Sequence, residues 1–379
     1  RVPLVRDGAH TAVMAAARAH TGDVEVARWA CGALQNLAVA ADNQVPLVRD
    51  GAHTALMAAV RTHSGDVEVA QTACGALRNL AVAAGNRVPL VRDGAHSAVI
   101  AAARIHDGDV EVARHACGAL WDLALAADNL VPLVRDGAHM AVMAAARAHA
   151  GDVEVAQGAC CALRNLSFEA DNRVLLVRDG AHGAVMEAAR VHSSDVEVAK
   201  HACFALWSMV IADDNLMPLV RDGAYAAVTA AVRAHAGDAE VAGAAYGMLI
   251  NLVDAADNAI PLVRDGAHTA VMAVAQAYSG QVEMARTLCA TLAKFAGTVD
   301  NKVPLVRDGV HTAAMVAARA HSGDVEVVRT ACAALANLSA AADCRDDLAR
   351  DGVREFLAFV SGLHPSDATV QEYCRRVAL

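Results

Sequence analysis

The residues with the most chemical potential in this sequence return on a fixed period. Histidines form two columns. One holds His10, His53, His96, His139, His182, His268 and His311; the other holds His20, His63, His106, His149, His192, His235 and His321. Imidazoles in such numbers could bind zinc or move protons. Spacing argues against zinc. The two histidines of one period lie ten residues apart, roughly 15 Å along a straight helix, whereas a zinc ligand sits about 2 Å from its ion. A third column is cysteine: Cys31, Cys74, Cys117, Cys160, Cys203, Cys289 and Cys332. Packed helices stand roughly 8–10 Å apart and a disulfide needs Cα atoms within about 7 Å. Neighbours in this column are therefore expected as buried, reduced thiols, which points to a reducing compartment. Glu25 recurs in eight periods, and a catalytic carboxylate would more readily break a repeat than follow it. No nucleotide-binding, zinc-protease or nucleophile-elbow motif is present. The expectation is a chain with no enzymatic activity, no metal site and no cofactor.

What positions these columns is a 43-residue repeat. VPLVRDGAH starts at Val2 and returns at Val45, Val88 and Val131, with close copies at Val174, Met217, Ile260 and Val303. A ninth, divergent copy reads DLARDGVRE from Asp347, and Arg6 and Asp7 have counterparts in all nine. Such self-similarity is the mark of stacked arrays. Full repeats begin near 1, 44, 87, 130, 173, 216, 259 and 302. A shortened unit over 345–379 is expected to cap the C-terminal end with polar Gln371, Glu372, Arg375 and Arg376. The whole of 1–379 reads as one solenoid. The first repeat has inner character, so either a segment before Arg1 or head-to-tail packing is expected.

One period reads as three helices. In the second repeat Asn43 is expected to cap the first, with Pro46 in its first turn and Gly51 ending it. The second runs roughly from Ala52 to Thr62. Asp66 is the expected N-cap of the third, whose apolar positions Val69, Ala73, Ala76, Leu77 and Leu80 share one face.

A short helix, a Gly-Ala junction, a second helix and a third ending in A-L-x-N-L-A resemble the armadillo repeat. GALQNLA (32–38), GALRNLA (75–81) and CALRNLS (161–167) carry the likeness. HEAT repeats, the close rival, usually have two helices. The resemblance implies an all-α, right-handed α-solenoid, a superhelix of about nine repeats. It also implies a protein-binding scaffold whose third helices line a concave groove.

Variation between repeats concentrates on one face of the third helix. The columns run Arg28, Gln71, Arg114, Gln157, Lys200, Gly243, Arg286, Arg329; Trp29, Thr72, His115, Gly158, His201, Ala244, Thr287, Thr330; Gln35, Arg78, Trp121, Arg164, Trp207, Ile250, Ala293, Ala336; and Asn36, Asn79, Asp122, Asn165, Ser208, Asn251, Lys294, Asn337. At 3.6 residues per turn these positions are neighbours. They read as a diversified binding surface, with Trp29, Trp121, Trp207 and Phe204 as aromatic anchors; packing between repeats is the competing reading for the aromatics. His115 and His201 are read as ligand contacts.

Arg28, Arg78, Arg114, Arg164, Lys200, Arg286, Lys294 and Arg329 against Asp122 leave +7 on this face of a chain of net charge −10. An extended acidic or phosphorylated partner segment is the expectation. In the nuclear-import branch of the armadillo family a Trp and an Asn four residues apart hold a basic peptide. Here the Asn half is present, but the Trp positions hold Gly32, Gly75, Gly118, Cys161, Phe204, Gly247, Ala290 and Ala333, which argues against that ligand. Import-adaptor-like binding and a self-assembling rod stay as alternatives. The acidic balance argues against general nucleic-acid binding, and no apolar run reaches membrane-spanning length. The cytoplasm is the expected location, with the nucleus second.

Overall fold

The computed structural model describes residues 1–235, 237–254, 259–264, 266–277 and 279–377. Among them all regular structure is helical. The chain forms two compact units, Arg1–Asn215 and Leu216–Leu379, where the sequence reads as one uninterrupted solenoid. Their boundary coincides with a repeat boundary. The first unit holds repeats one to five. The second holds repeats six to eight and the shortened ninth.

Within each unit every repeat is a three-helix layer. In repeat two the helices are Ala41–Arg49, Ala52–Thr62 and Val67–Ala81. Gly51 separates the first two at φ +87°, a left-handed conformation that glycine adopts without Cβ strain. Asp66 caps the third helix, its carboxylate accepting from the Val69 N–H at 3.0 Å. Asp109, Asp152 and Asp195 do the same in unit one, as do Asp324 and Asp367 in unit two. Repeat seven has Gln281 at this position, and it makes no side-chain cap bond. Gln281→Asp is therefore expected to stabilise unit two by about 1 kcal/mol, seen as a rise in the thermal midpoint; an unchanged midpoint would show that this helix start is already satisfied.

Asn43 corrects one expectation. It lies inside the first helix, buried, and its amide donates to the Leu37 carbonyl at 2.8 Å. It closes the end of the preceding third helix instead of opening its own. Pro46 consequently sits in the second turn. In repeats four, eight and nine the entry is a separate 3-10 turn, Ala127–Asn129, Val299–Asn301 and Ala342–Cys344.

The core is built from small and branched side chains of the second and third helices. Leu34, Leu77, Leu120, Leu163 and Leu206 form one buried column in unit one, beside Cys31, Cys74, Cys117, Cys160 and Cys203. Burial pushes the Cys31, Cys74, Cys117 and Cys203 thiols up to about 12, so they stay protonated and pack as small hydrophobes. All ten cysteines are unbridged.

Polar side chains stitch each layer to the next. Buried Asn86, in the first helix of repeat three, donates to two carbonyls of repeat two, Leu80 O and Gln44 O. Asn129, Asn172 and Asn215 repeat the pattern. The second histidine column meets the preceding repeat's turn, as His106 does at Ser64 O and His149 at Asp107 O. The first column reaches forward. His10, His53, His96 and His139 bond Asp50, Asp93, Asp136 and Asp179 at 2.8–3.1 Å. In unit two His268 and His311 bond Asp308 and Asp351; Asp265, the equivalent aspartate of repeat seven, lies outside the described residues. Nδ1 of these histidines is buried without an acceptor. The neutral form with hydrogen on Nε2, donating to the carboxylate, satisfies this geometry.

A candidate peptide-binding face

The third helices turn their variable positions to a partly exposed face, and much of it is occupied by the protein itself. In unit one Arg28 is held between repeats, at 3.2 and 2.6 Å from Asp66 and 2.6 Å from Glu25. Arg114 makes the same fork to Asp152, with Glu111 at 2.6 Å. Gln71 and Gln157 bond Asp109 and Asp195, and Lys200 lies 2.9 Å from Glu197. In unit two Arg286 and Arg329 clamp Asp324 and Asp367. Each aspartate is also the N-cap of its helix. The Arg286 fork holds the Asp324 carboxyl down at about 2, and the Arg28 fork depresses Asp66.

This corrects the electrostatic reading. The +7 drawn from the sequence counts none of the carboxylates that the fold brings to the same face. The column from Arg28 to Arg329 is chiefly an inter-repeat ladder, and its charge is largely matched. Asp122 is itself half-buried, and burial raises its pKa despite Arg78 and Arg87 nearby.

The glycine column, read from the sequence as a missing Trp, is a floor for neighbouring side chains. Gln35 and His115, from repeats one and three, close over Gly75. Arg78 lies over Gly118, where a Cβ would stand 2.5 Å from Nε, and crosses to Glu154 of repeat four at 3.3 Å. Burial, aided by Arg78, lowers the His115 pKa and keeps it neutral. The Asn column is partly engaged too. Asn79 donates to Gln35 O at 3.3 Å and, in unit two, Asn337 to Ala293 O at 3.1 Å. Asn165 is buried with no acceptor for its amide nitrogen. Asn36 is exposed and Asn251 half-buried, while Lys294 is exposed. Trp29 stands alone at 76% exposure.

Aromatic residues gather at repeats three to five. Trp121 stacks toward His201, centroids 6.4 Å apart, and Phe204 toward Trp207 at 5.9 Å. The Arg164 guanidinium lies 4.5 Å from the Phe204 ring and 5.6 Å from that of Phe168. Among the described residues no carboxylate pairs with Arg164, which separates it from Arg28, Arg78 and Arg114. Phe168, absent from the sequence-derived site, is 53% exposed. Its signal was there: in unit one its column otherwise holds aliphatic Val39, Val82, Leu125 and Ile211.

Comparison with known proteins agrees with this architecture. Residues 185–356, just under half of the chain, match the LRRK2 ARM repeat family. No curated protein matches the sequence significantly. A solved structure concerned with the phosphorylation switch that controls the interaction between cadherin and beta-catenin shares the fold. Its TM-score is 0.71 at 18% identity, over 97% of this chain and 68% of that one. An engineered protein also matches, with TM-score 0.56 and 22% identity over 65% of this chain and 97% of its own. The three-helix layers and the shared fold give this chain an armadillo-like fold, and residues 185–356 within it match an armadillo-repeat family.

Proposed function

We propose that the chain is a non-enzymatic protein-interaction scaffold. It holds an extended partner segment against the third helices of unit one, with an acidic or phosphorylated residue of the segment meeting Arg164, which no carboxylate pairs among the described residues. The observation that carries the reading is a division of labour between columns. The Asp, buried Asn and His positions that bond adjacent repeats recur almost unchanged. The half-exposed positions around Trp121, Arg164, Phe204 and Trp207 differ from one repeat to the next. Half-exposed aromatics beside an arginine are the composition of interface anchors. The related fold, in which cadherin meets beta-catenin, supports a protein partner. The buried reduced thiols support a cytoplasmic setting.

The test is retention of partners from lysate on the immobilised full chain, at low and high salt, beside a Trp121→Ala/Trp207→Ala variant of equal melting temperature. Salt-sensitive acidic partners lost by the variant are the expected result. Equal retention by both proteins would remove this face as the site. Recovery of the chain alone would favour head-to-tail assembly instead.

A further inference from the structure

We infer that Arg164 and the rings around it form a subsite for one carboxylate side chain, Asp or Glu, with an aromatic residue close to it in the partner segment. The inference rests on the reading that an extended segment lies on this face, and it assigns that segment's anchor. Arg164 occupies the column of Gln35 and Arg78, whose side chains lie across the floor of the next repeat. At Arg164 the next floor is Phe204, so the guanidinium rests on a ring instead of glycine backbone. Phe168 flanks it as well. The rings hold the guanidinium by its π-face and leave its N–H edge for a planar acceptor.

The rest of unit one's arginine face shows why an acceptor is missing here. Arg28 and Arg114 each take a carboxylate from the following repeat, and Arg78 takes Glu154. Arg164 pairs with none among the described residues, and its Nε is buried without an acceptor. A partly exposed guanidinium that no carboxylate of the protein pairs calls for an anion from outside. A single guanidinium matches one carboxylate; phosphate recognition ordinarily gathers several cations. Phe204 and Trp207, with rings 5.9 Å apart, and exposed Phe168 offer apolar surface for an adjoining aromatic side chain.

The experiment is an array of synthetic decapeptides probed with the full chain. Each peptide carries Glu, Gln or phosphoserine two residues before Trp or Ala, in otherwise varied backgrounds. Hits are then titrated against wild type, Arg164→Gln, Arg164→Lys and Trp207→Ala. Melting curves confirm that the variants fold. The expected hits carry Glu with Trp, and Arg164→Gln weakens them by about tenfold or more. Arg164→Lys, which keeps charge but loses the fork, recovers only part of that loss. Hits that bind with full affinity to Arg164→Gln would overturn the subsite and leave the scaffold reading standing. Phosphoserine hits tenfold tighter than Glu would overturn the carboxylate assignment. An array with no hits, together with no partner recovered from lysate, would overturn both.

Discussion

Replacing Asn172 by alanine is expected to lower the stability of unit one by about 2–4 kcal/mol. Its amide donates at once to Leu166 O, 2.9 Å away in the preceding third helix, and to Leu130 O, 3.0 Å away in the preceding repeat. The residue is 2% exposed. Alanine withdraws a buried donor from both carbonyls at once, each lost bond costing roughly 1–3 kcal/mol, partly relieved if water enters. Asn172→Asp should be worse, because it turns a carboxylate toward two carbonyl oxygens. Urea denaturation followed by helical ellipticity measures this at constant slope. A loss below about 0.5 kcal/mol would mean that water replaces the amide.

Acid should unfold unit one early. Asp50, Asp93, Asp136 and Asp179 are each held below the ordinary carboxylate range, first by the preceding arginine and then by the histidine bond; Asp136 falls to about 2. A carboxyl depressed in the folded state stabilises fully above its unfolded pKa, near 3.9. That contribution disappears as pH falls through the folded value. These groups are a quarter to a third exposed, so about 1 kcal/mol at each junction is a fair size after screening. Contributions add along an array, giving roughly 4 kcal/mol for the four junctions. The thermal midpoint should fall steeply from pH 4 to pH 2, and Asp136→Asn should flatten the profile by about a quarter. A midpoint constant from pH 5 to 2.5 would show that these bonds contribute nothing.

Much of the architecture was legible because period and glycine position leave little choice. Asp66 as a cap, Gly51 as a break and the cysteine column as core all follow from local rules. Asn43 did not, since an amide that closes the previous helix looks, in sequence, like one that opens the next. The face was read least well. Arg28 and Asp66 stand 38 residues apart, and no helical periodicity links them. The sequence still held a clue in repeats six and seven, where Gly243 replaces the donor and Gln281 the acceptor. The one full-repeat junction without the acceptor also lacks the donor, as expected of residues that act as a pair. Arg164 could not be told from its column-mates by type, because what distinguishes it is a missing partner and a ring beneath it.

The bonds between repeats carry fixed offsets: 42 residues for the buried asparagines, 40 for the histidine–aspartate pairs and 38 for the arginine forks. Each depends on the 43-residue period being intact on both sides of a junction. Removing or adding a whole period within repeats two to four would bring together ends bearing the same donors and acceptors. Removing any other number of residues would change the offset of every bond that spans the cut, and so disrupt the junctions beside it while leaving those farther along intact. Only a change by complete periods leaves every junction with its full set of bonds.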